Sequence, residues 1–160
     1  MRVAILTVSD AGSRGEREDR SGPMAAGWAE AHGWPVVERA LVPDEADAIA
    51  AHLARWADED RADLILTTGG TGLTARDVTP EATRSILERE APGIPEAMRA
   101  AVRDHFPRAA LSRGVAGARG RSLIVNLPGS PGGVRDGLAV LEIIVEHAVE
   151  LVRGARTEHG

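Results

Sequence analysis

A chain of 160 residues, 43% of them hydrophobic, is long enough to bury one substantial core and too short for two ordinary domains. It contains no Cys, Lys, Tyr or Gln, which excludes a thiol nucleophile, a thiolate metal site, a Schiff base and a lysine-bearing phosphate loop. All 19 strongly basic residues are Arg, and the net charge of −5 argues against nucleic-acid or anionic-membrane partners and for small-molecule work.

The opening MRVAILTVSDAG is too short an apolar run for a signal segment, and no later stretch approaches the roughly 20 residues of a membrane span. A cytoplasmic protein is expected. Short β-branched runs alternate with amphipathic stretches, the pattern of βαβ units. This predicts an α/β three-layer sandwich with a mostly parallel sheet flanked by helices. Residues 2–8 read as a buried strand, and Ser21 as N-cap with Pro23 in the first turn opens a helix to about His32. A second strand over 35–42 leads to Asp44, which caps a helix with Ile49, Leu53 and Trp56 on one face and Trp56 in the core. The third strand, 63–68, runs into Gly69-Gly70-Thr71-Gly72 and a polar loop, and Thr79-Pro80-Glu81 starts a helix through about Arg89. The segment APGIP breaks the chain. A helix near 95–105 and a Gly-rich, hairpin-like stretch over 112–120 precede the last strand, 122–127. The helix from Val134 turns Leu138, Leu141, Val145, Ala148 and Val152 inward. One domain over 1–154 and a frayed tail over 155–160 are expected.

Parallel sheets bind ligands in the crevice beyond the carboxyl ends of their strands. There the sequence places Ser9-Asp10-Ala11-Gly12, Pro43-Asp44, Gly69 to Gly72 with Arg76-Asp77, and Pro128-Gly129-Ser130-Pro131. Small and acidic residues gather at one rim. Three glycines in four positions let backbone N–H groups approach an anion, although the same residues also fit a plain chain reversal. Asp77 beside a polyphosphate calls for a divalent cation between them, and Mg²⁺ binds through one or two carboxylates plus phosphates. The same Asp77 suits the start of the helix at Thr79. Asp44 fits a rim ligand and also an ordinary N-cap. Arg76 either offsets phosphate charge or is a solvated surface residue, and Asn126 to Ser130 reads as a second anion site or a strand-to-helix turn. The five His residues lack metal-ligand spacing, and neither a G-x-S-x-G elbow nor a first-strand G-x-G-x-x-G is present.

The segments AILTVSD (4–10), VPDE (42–45), LTTGGTGLTARDVTPEAT (66–83), SRGVAG (112–117) and NLPGS (126–130) resemble those of the MogA/MoaB family of molybdenum cofactor biosynthesis proteins, to which gephyrin is related. The resemblance spans nearly the whole chain. It implies a molybdopterin-binding domain and a nucleotidyltransferase, molybdopterin adenylyltransferase. The terminal phosphate of molybdopterin would attack the α-phosphorus of Mg-ATP and release pyrophosphate. By motif, Asp44 and Asp77 match the two functional acidic positions, catalytic and Mg²⁺-holding. Gly69, Gly70, Thr71 and Gly72 would hold phosphate with Arg76 beside them, Ser9 and Asp10 would line the same pocket, and Asn126, Pro128, Gly129 and Ser130 would form its far wall. The resemblance further implies a homo-oligomer, trimer or hexamer, and a molybdate-inserting protein as partner. The compact length resembles the MoaB type and leaves a non-catalytic molybdopterin-binding scaffold as the alternative. A CinA-like nucleotide pyrophosphatase is a third reading, set against by GGTGLTARD in place of that group's GGxGPTxDD.

Overall fold

A computed structural model describes residues 1–154; the tail expected over 155–160 lies outside the described residues. Three strands, β1 (Val3–Val8), β3 (Leu64–Thr68) and β6 (Ser122–Leu127), are buried along their whole length, as strands covered on both faces must be. Beside β1 lies β2 (Val36–Val42), an edge strand in which more and less exposed residues alternate. These four are parallel, while β5 (Ala116–Arg119) and β4 (Arg89–Glu90) continue the sheet antiparallel in the order β2-β1-β3-β6-β5-β4. The mostly parallel α/β sheet flanked by helices is as the sequence predicts.

The helices are α1 (Asp10–Ser13), α2 (Ser21–Ala31), α3 (Ala46–Asp58), α4 (Thr79–Ile86), α5 (Gly93–Val102) and α6 (Pro131–Val152), with a 3₁₀ turn at Pro107–Leu111. On one face Ile5, Leu66 and Val125 pack with Ala25, Ala29, Leu138, Leu141 and Val145 of α2 and α6. On the other, Leu6, Ile65 and Ile124 pack with Ile49, Leu53 and Trp56 of α3 and Ala82 of α4. Trp56 is 1% exposed, the core residue its helical spacing predicts. Among the described residues, no helix is long and apolar enough to cross a membrane.

Several boundaries differ from the sequence reading. Ser21 lies inside α2, and Asp19 supplies the start of that helix by accepting the Gly22 N–H at 2.9 Å. Glu45, not Asp44, occupies the N-cap of α3, without a side-chain cap bond. Helix α4 stops at Ile86 because Glu88 and Ala91 donate their N–H groups to Ala118 and Ala116, forming β4. Pro92 favours this extended path, since it disfavours helical backbone at Ala91. The Gly-rich stretch does become a hairpin, with Gly120 at φ +56° between paired Arg119 and Ser122.

Candidate functional site

From β1 the chain crosses to β2 on one side, then returns past β1 to β3 on the other. The crossover helices α2 and α3 pack on opposite faces, so the carboxyl ends of β1 and β3 mark the topological switch point. A cavity of about 660 Å³ opens there. It is lined by nine residues that fall in the predicted rim loops, Ser9, Gly12, Asp44, Gly69, Gly70, Asp77, Gly129, Ser130 and Pro131.

Two glycines set the shape of its floor. Gly69 and Gly70 have φ of +93° and +69°, where a side chain is strained. A Cβ would lie 2.2 Å from the Val8 carbonyl oxygen at Gly69 and 2.2 Å from Thr79 Oγ1 at Gly70. The loop is therefore both a tight reversal and a close approach. Gly69 N–H donates to the Leu127 carbonyl, and Thr79 ties the loop to α4 by donating its hydroxyl to the Gly69 carbonyl and its N–H to the Gly70 carbonyl. Among the described residues, the N–H groups of Gly70, Thr71 and Gly72 have no acceptor, and of the three residues Gly70 lines the cavity.

The acidic residues come from three loops, and two of them, Asp10 and Asp44, are locked together. Asp10 N–H donates to Asp44 Oδ2 at 2.8 Å, and Asp44 N–H donates to Asp10 Oδ1 at 2.9 Å. Arg76 then grips both Asp10 oxygens, at 2.9 and 3.0 Å, a charge-assisted bidentate pair. The Arg76 guanidinium, followed by the Asp44 amide, holds the Asp10 carboxyl down at about 2. Asp44 is shifted the other way. Burial pushes its carboxyl up, and the charges of Asp10 and Asp77 add to the rise. Asp77 Oδ2 accepts from both the N–H and the hydroxyl of Thr74, at 2.9 and 2.8 Å, closing a turn instead of capping α4. Crowded carboxylates with one of them partly buried are a donor set that fits a divalent cation. Among the described residues, no group of three or more His, Asp or Glu is arranged to hold a metal. A cation held here must draw its remaining ligands from water or substrate oxygens.

Not every predicted residue reaches this cavity. Asn126 and Pro128 line a second one of about 560 Å³, between α5, the 3₁₀ turn and the start of α6, with Ser130 on the boundary between the two. The Asn126 amide faces inward. Its Oδ1 accepts from Val115 N–H at 3.1 Å, and its Nδ2 donates to Thr67 and Thr83 hydroxyls at 2.9 and 3.0 Å. It ties β6 to β3 and α4, which corrects its expected place on the far wall of the first pocket. Asp10, Thr71, Gly72 and Arg76 do not line the first cavity; Arg113 braces the loop by donating to the Thr71 and Gly72 carbonyls. Sequence reasoning missed Thr7, Thr68 and the segment Arg17 to Ser21, all of which line the cavity. The sequence signal for that segment was the charged run RGEREDR between a strand and a helix.

A glycine loop and neighbouring carboxylates at the switch point of a mostly parallel sheet place the candidate site where α/β proteins bind their ligands. The sequence is more specific. The chain belongs to the family described as a probable molybdopterin binding domain, whose model matches residues 4–147. Molybdopterin adenylyltransferase of Helicobacter pylori strain J99 is 38% identical over 156 residues, covering 96% of this chain and 89% of that relative. The crystal structure of the molybdopterin biosynthesis enzyme MoaB from Thermus thermophilus is 52% identical, with a TM-score of 0.91 over 96% of each chain. A CinA protein from Thermoplasma acidophilum, 20% identical with a TM-score of 0.69 over 93% of this chain and 99% of its own, shares the fold alone.

Proposed function

We propose that this chain is a molybdopterin adenylyltransferase, a nucleotidyltransferase of molybdenum cofactor biosynthesis. One observation carries the reading: a single cavity brings Asp44 and Asp77 against the tight Gly69-Gly70 turn and the unengaged Gly70 N–H. A terminal phosphate oxygen of molybdopterin attacks the α-phosphorus of ATP. The bond from that phosphorus to the bridging oxygen breaks, and pyrophosphate leaves with adenylyl-molybdopterin as the product. Such transfers depend on in-line positioning and charge neutralisation more than on side-chain acid–base work.

In this reading Asp44 and Asp77 would hold Mg²⁺, which supplies neutralisation of the phosphate charge. The glycine loop binds phosphoryl oxygens through its amides. Ser9 and the Asp10–Arg76 pair fix the loops around them, and Gly129 and Ser130 close the side next to the second cavity. Neither the loop nor the latch needs a lysine. The same reading carries a trimer or hexamer, a cytoplasmic location and hand-over of the product to a molybdate-inserting protein.

The test is incubation of the purified protein with molybdopterin and Mg-ATP, with mass spectrometry of the pterin and assay of released pyrophosphate. Adenylyl-molybdopterin is expected, its formation abolished by chelation and restored by Mg²⁺. Tight pterin binding with neither product nor ATP binding would sink the reading in favour of the scaffold alternative.

A further inference from the structure

The rim that handles phosphate has five arginines near it, and three are already committed. Arg14 pairs with Glu16, Arg76 with Asp10, and Arg113 with Glu81 and the carbonyls of Gly72 and Asp77. Arg17 and Arg20 both line the cavity, and among the described residues neither side chain makes a hydrogen bond or an ion pair. The backbone beside Arg20 is nevertheless fixed. Asp19 accepts from the Thr7 hydroxyl at 2.8 Å and from Gly22 N–H at 2.9 Å, and Ser21 donates to the Gly129 carbonyl at 2.7 Å. Arg20 stands between these two anchors, with a positioned backbone and an unengaged guanidinium.

Two further features of the same wall favour an anion. The N-termini of α2 and α6 meet there through the Ser21–Gly129 bond, and both leave positive dipole ends toward the cavity. Thr68, 1% exposed at the carboxyl end of β3, lines the cavity with a hydroxyl that has no partner. A buried hydroxyl without a partner is costly, and a ligand oxygen would satisfy it.

Resting on the adenylyltransferase reading, we propose that Arg17, Arg20 and Thr68 form the wall that binds the β- and γ-phosphoryl groups of the nucleotide, the part that departs as pyrophosphate. The wall lies on the α2 side of the cavity, and Asp44 and Asp77 enter from the loops leading to α3 and α4. Arginine suits this task, because its fork donates to two phosphoryl oxygens at once. With no lysine in the chain, these are the cations of the site that the fold leaves unpaired. Glu18 shares the wall and opposes the same anion, so it offers a test of opposite sign.

Calorimetric titration of the full-length protein with magnesium pyrophosphate and with Mg-ATP tests the wall without requiring turnover. Arg17→Ala/Arg20→Ala should weaken pyrophosphate binding on the order of ten- to a hundredfold, and Thr68→Val by roughly fivefold. Arg20→Lys should recover part of the loss, and Glu18→Gln should tighten binding severalfold. Thermal melts of the arginine variants should match wild type, since neither side chain has a partner to lose. Unchanged pyrophosphate affinity in the double variant would overturn the proposal, as would a wild-type protein that binds neither pyrophosphate nor ATP. Wild-type binding that depends on both arginines, without any adenylylated pterin, would leave the wall standing and remove the adenylyltransferase reading instead.

Discussion

The two ends of the sheet treat carboxylates in opposite ways. At the amino-terminal end, Asp63 accepts the Arg2 N–H at 2.6 Å and pairs with the guanidiniums of Arg2 and Arg153 at 2.8 and 2.6 Å. Asp60, at φ +48°, pairs with the same two arginines at 3.0 and 3.1 Å. Burial pushes the Asp63 carboxyl up, but Arg2 and Arg153 together hold it below the usual range. At the carboxyl-terminal end, Asp44 has no arginine of its own, and burial with two acidic neighbours drives it above that range. One end neutralises its charges within the fold. The other leaves Asp44 without a partner cation among the described residues, and this separates the candidate site from the scaffold.

The contrast breaks most visibly at the acidic pair. Asp77→Asn and Asp44→Asn should each lower turnover on the order of a hundredfold or more, the scale at which preorganised charge stabilisation is lost. Asn at position 44 still offers an oxygen to the Asp10 N–H and removes the repelled charge, so its melting temperature should be unchanged or raised. The sign also applies to pH. An acid whose folded pKa is raised binds its proton more tightly when folded, so Asp44 costs stability increasingly as pH rises from the unfolded value through the folded one. That slope should vanish in Asp44→Asn. A variant that unfolds while its folded fraction keeps full turnover would make Asp44 structural and erase the difference between the two ends.

Asp63→Ala is the reciprocal experiment. It leaves a backbone N–H without its acceptor and Arg2 and Arg153 with Asp60 as their remaining carboxylate, and should cost about 3 kcal/mol, roughly 6–12 °C in melting temperature for a chain of this size. Turnover per folded molecule should be unchanged. Asn126→Ala comes next, at about 2 kcal/mol, because it leaves two threonine hydroxyls and the Val115 N–H short of partners in the core. A loss of nucleotide binding larger than its loss of stability would return Asn126 to the site.

The legibility of the molecule follows the same divide. Val3–Val8, Leu64–Thr68 and Ser122–Leu127 announce themselves as strands because burial on both faces demands unbroken apolar runs. The residues just after them gather at the candidate site because parallel strands deliver their ends to one rim, a rule that needs no coordinates. What the sequence hides depends on distant partners. Arg89-Glu90 looks helical and becomes a strand only because Ala118 and Gly117 lie opposite. Asn126 sits in a rim motif, yet strand alternation sends its amide to the side of Thr67 and Thr83. Arg17 and Arg20 reach the cavity by a loop with no period, fixed by Asp19 and Ser21. Thr68 reads as one more buried strand residue, and only its missing partner marks it.

The smallest effect lies at His32, which follows α2 at the end away from the site. Its ring stacks on Trp34, with centroids 4.6 Å apart, and lies 5.1 Å from Trp28. Nδ1 faces the Trp28 carbonyl at 2.8 Å and Nε2 faces Glu142 Oε1 at 2.6 Å. Both ring nitrogens meet acceptors, and only the imidazolium donates from both. The Trp28 carbonyl first, then Glu142 and Glu146, raise the pKa above the ordinary value. A base whose folded pKa is raised contributes stability that is fully present below its unfolded value and is lost as pH rises through the folded one. His32→Gln should therefore be destabilised relative to wild type more at about pH 5.5 than at about pH 8.5, as read by denaturant midpoints with tryptophan fluorescence. An equal gap at both values would show that the ring contributes packing alone. Turnover should follow neither, because His32 belongs with the charges that the fold neutralises for itself.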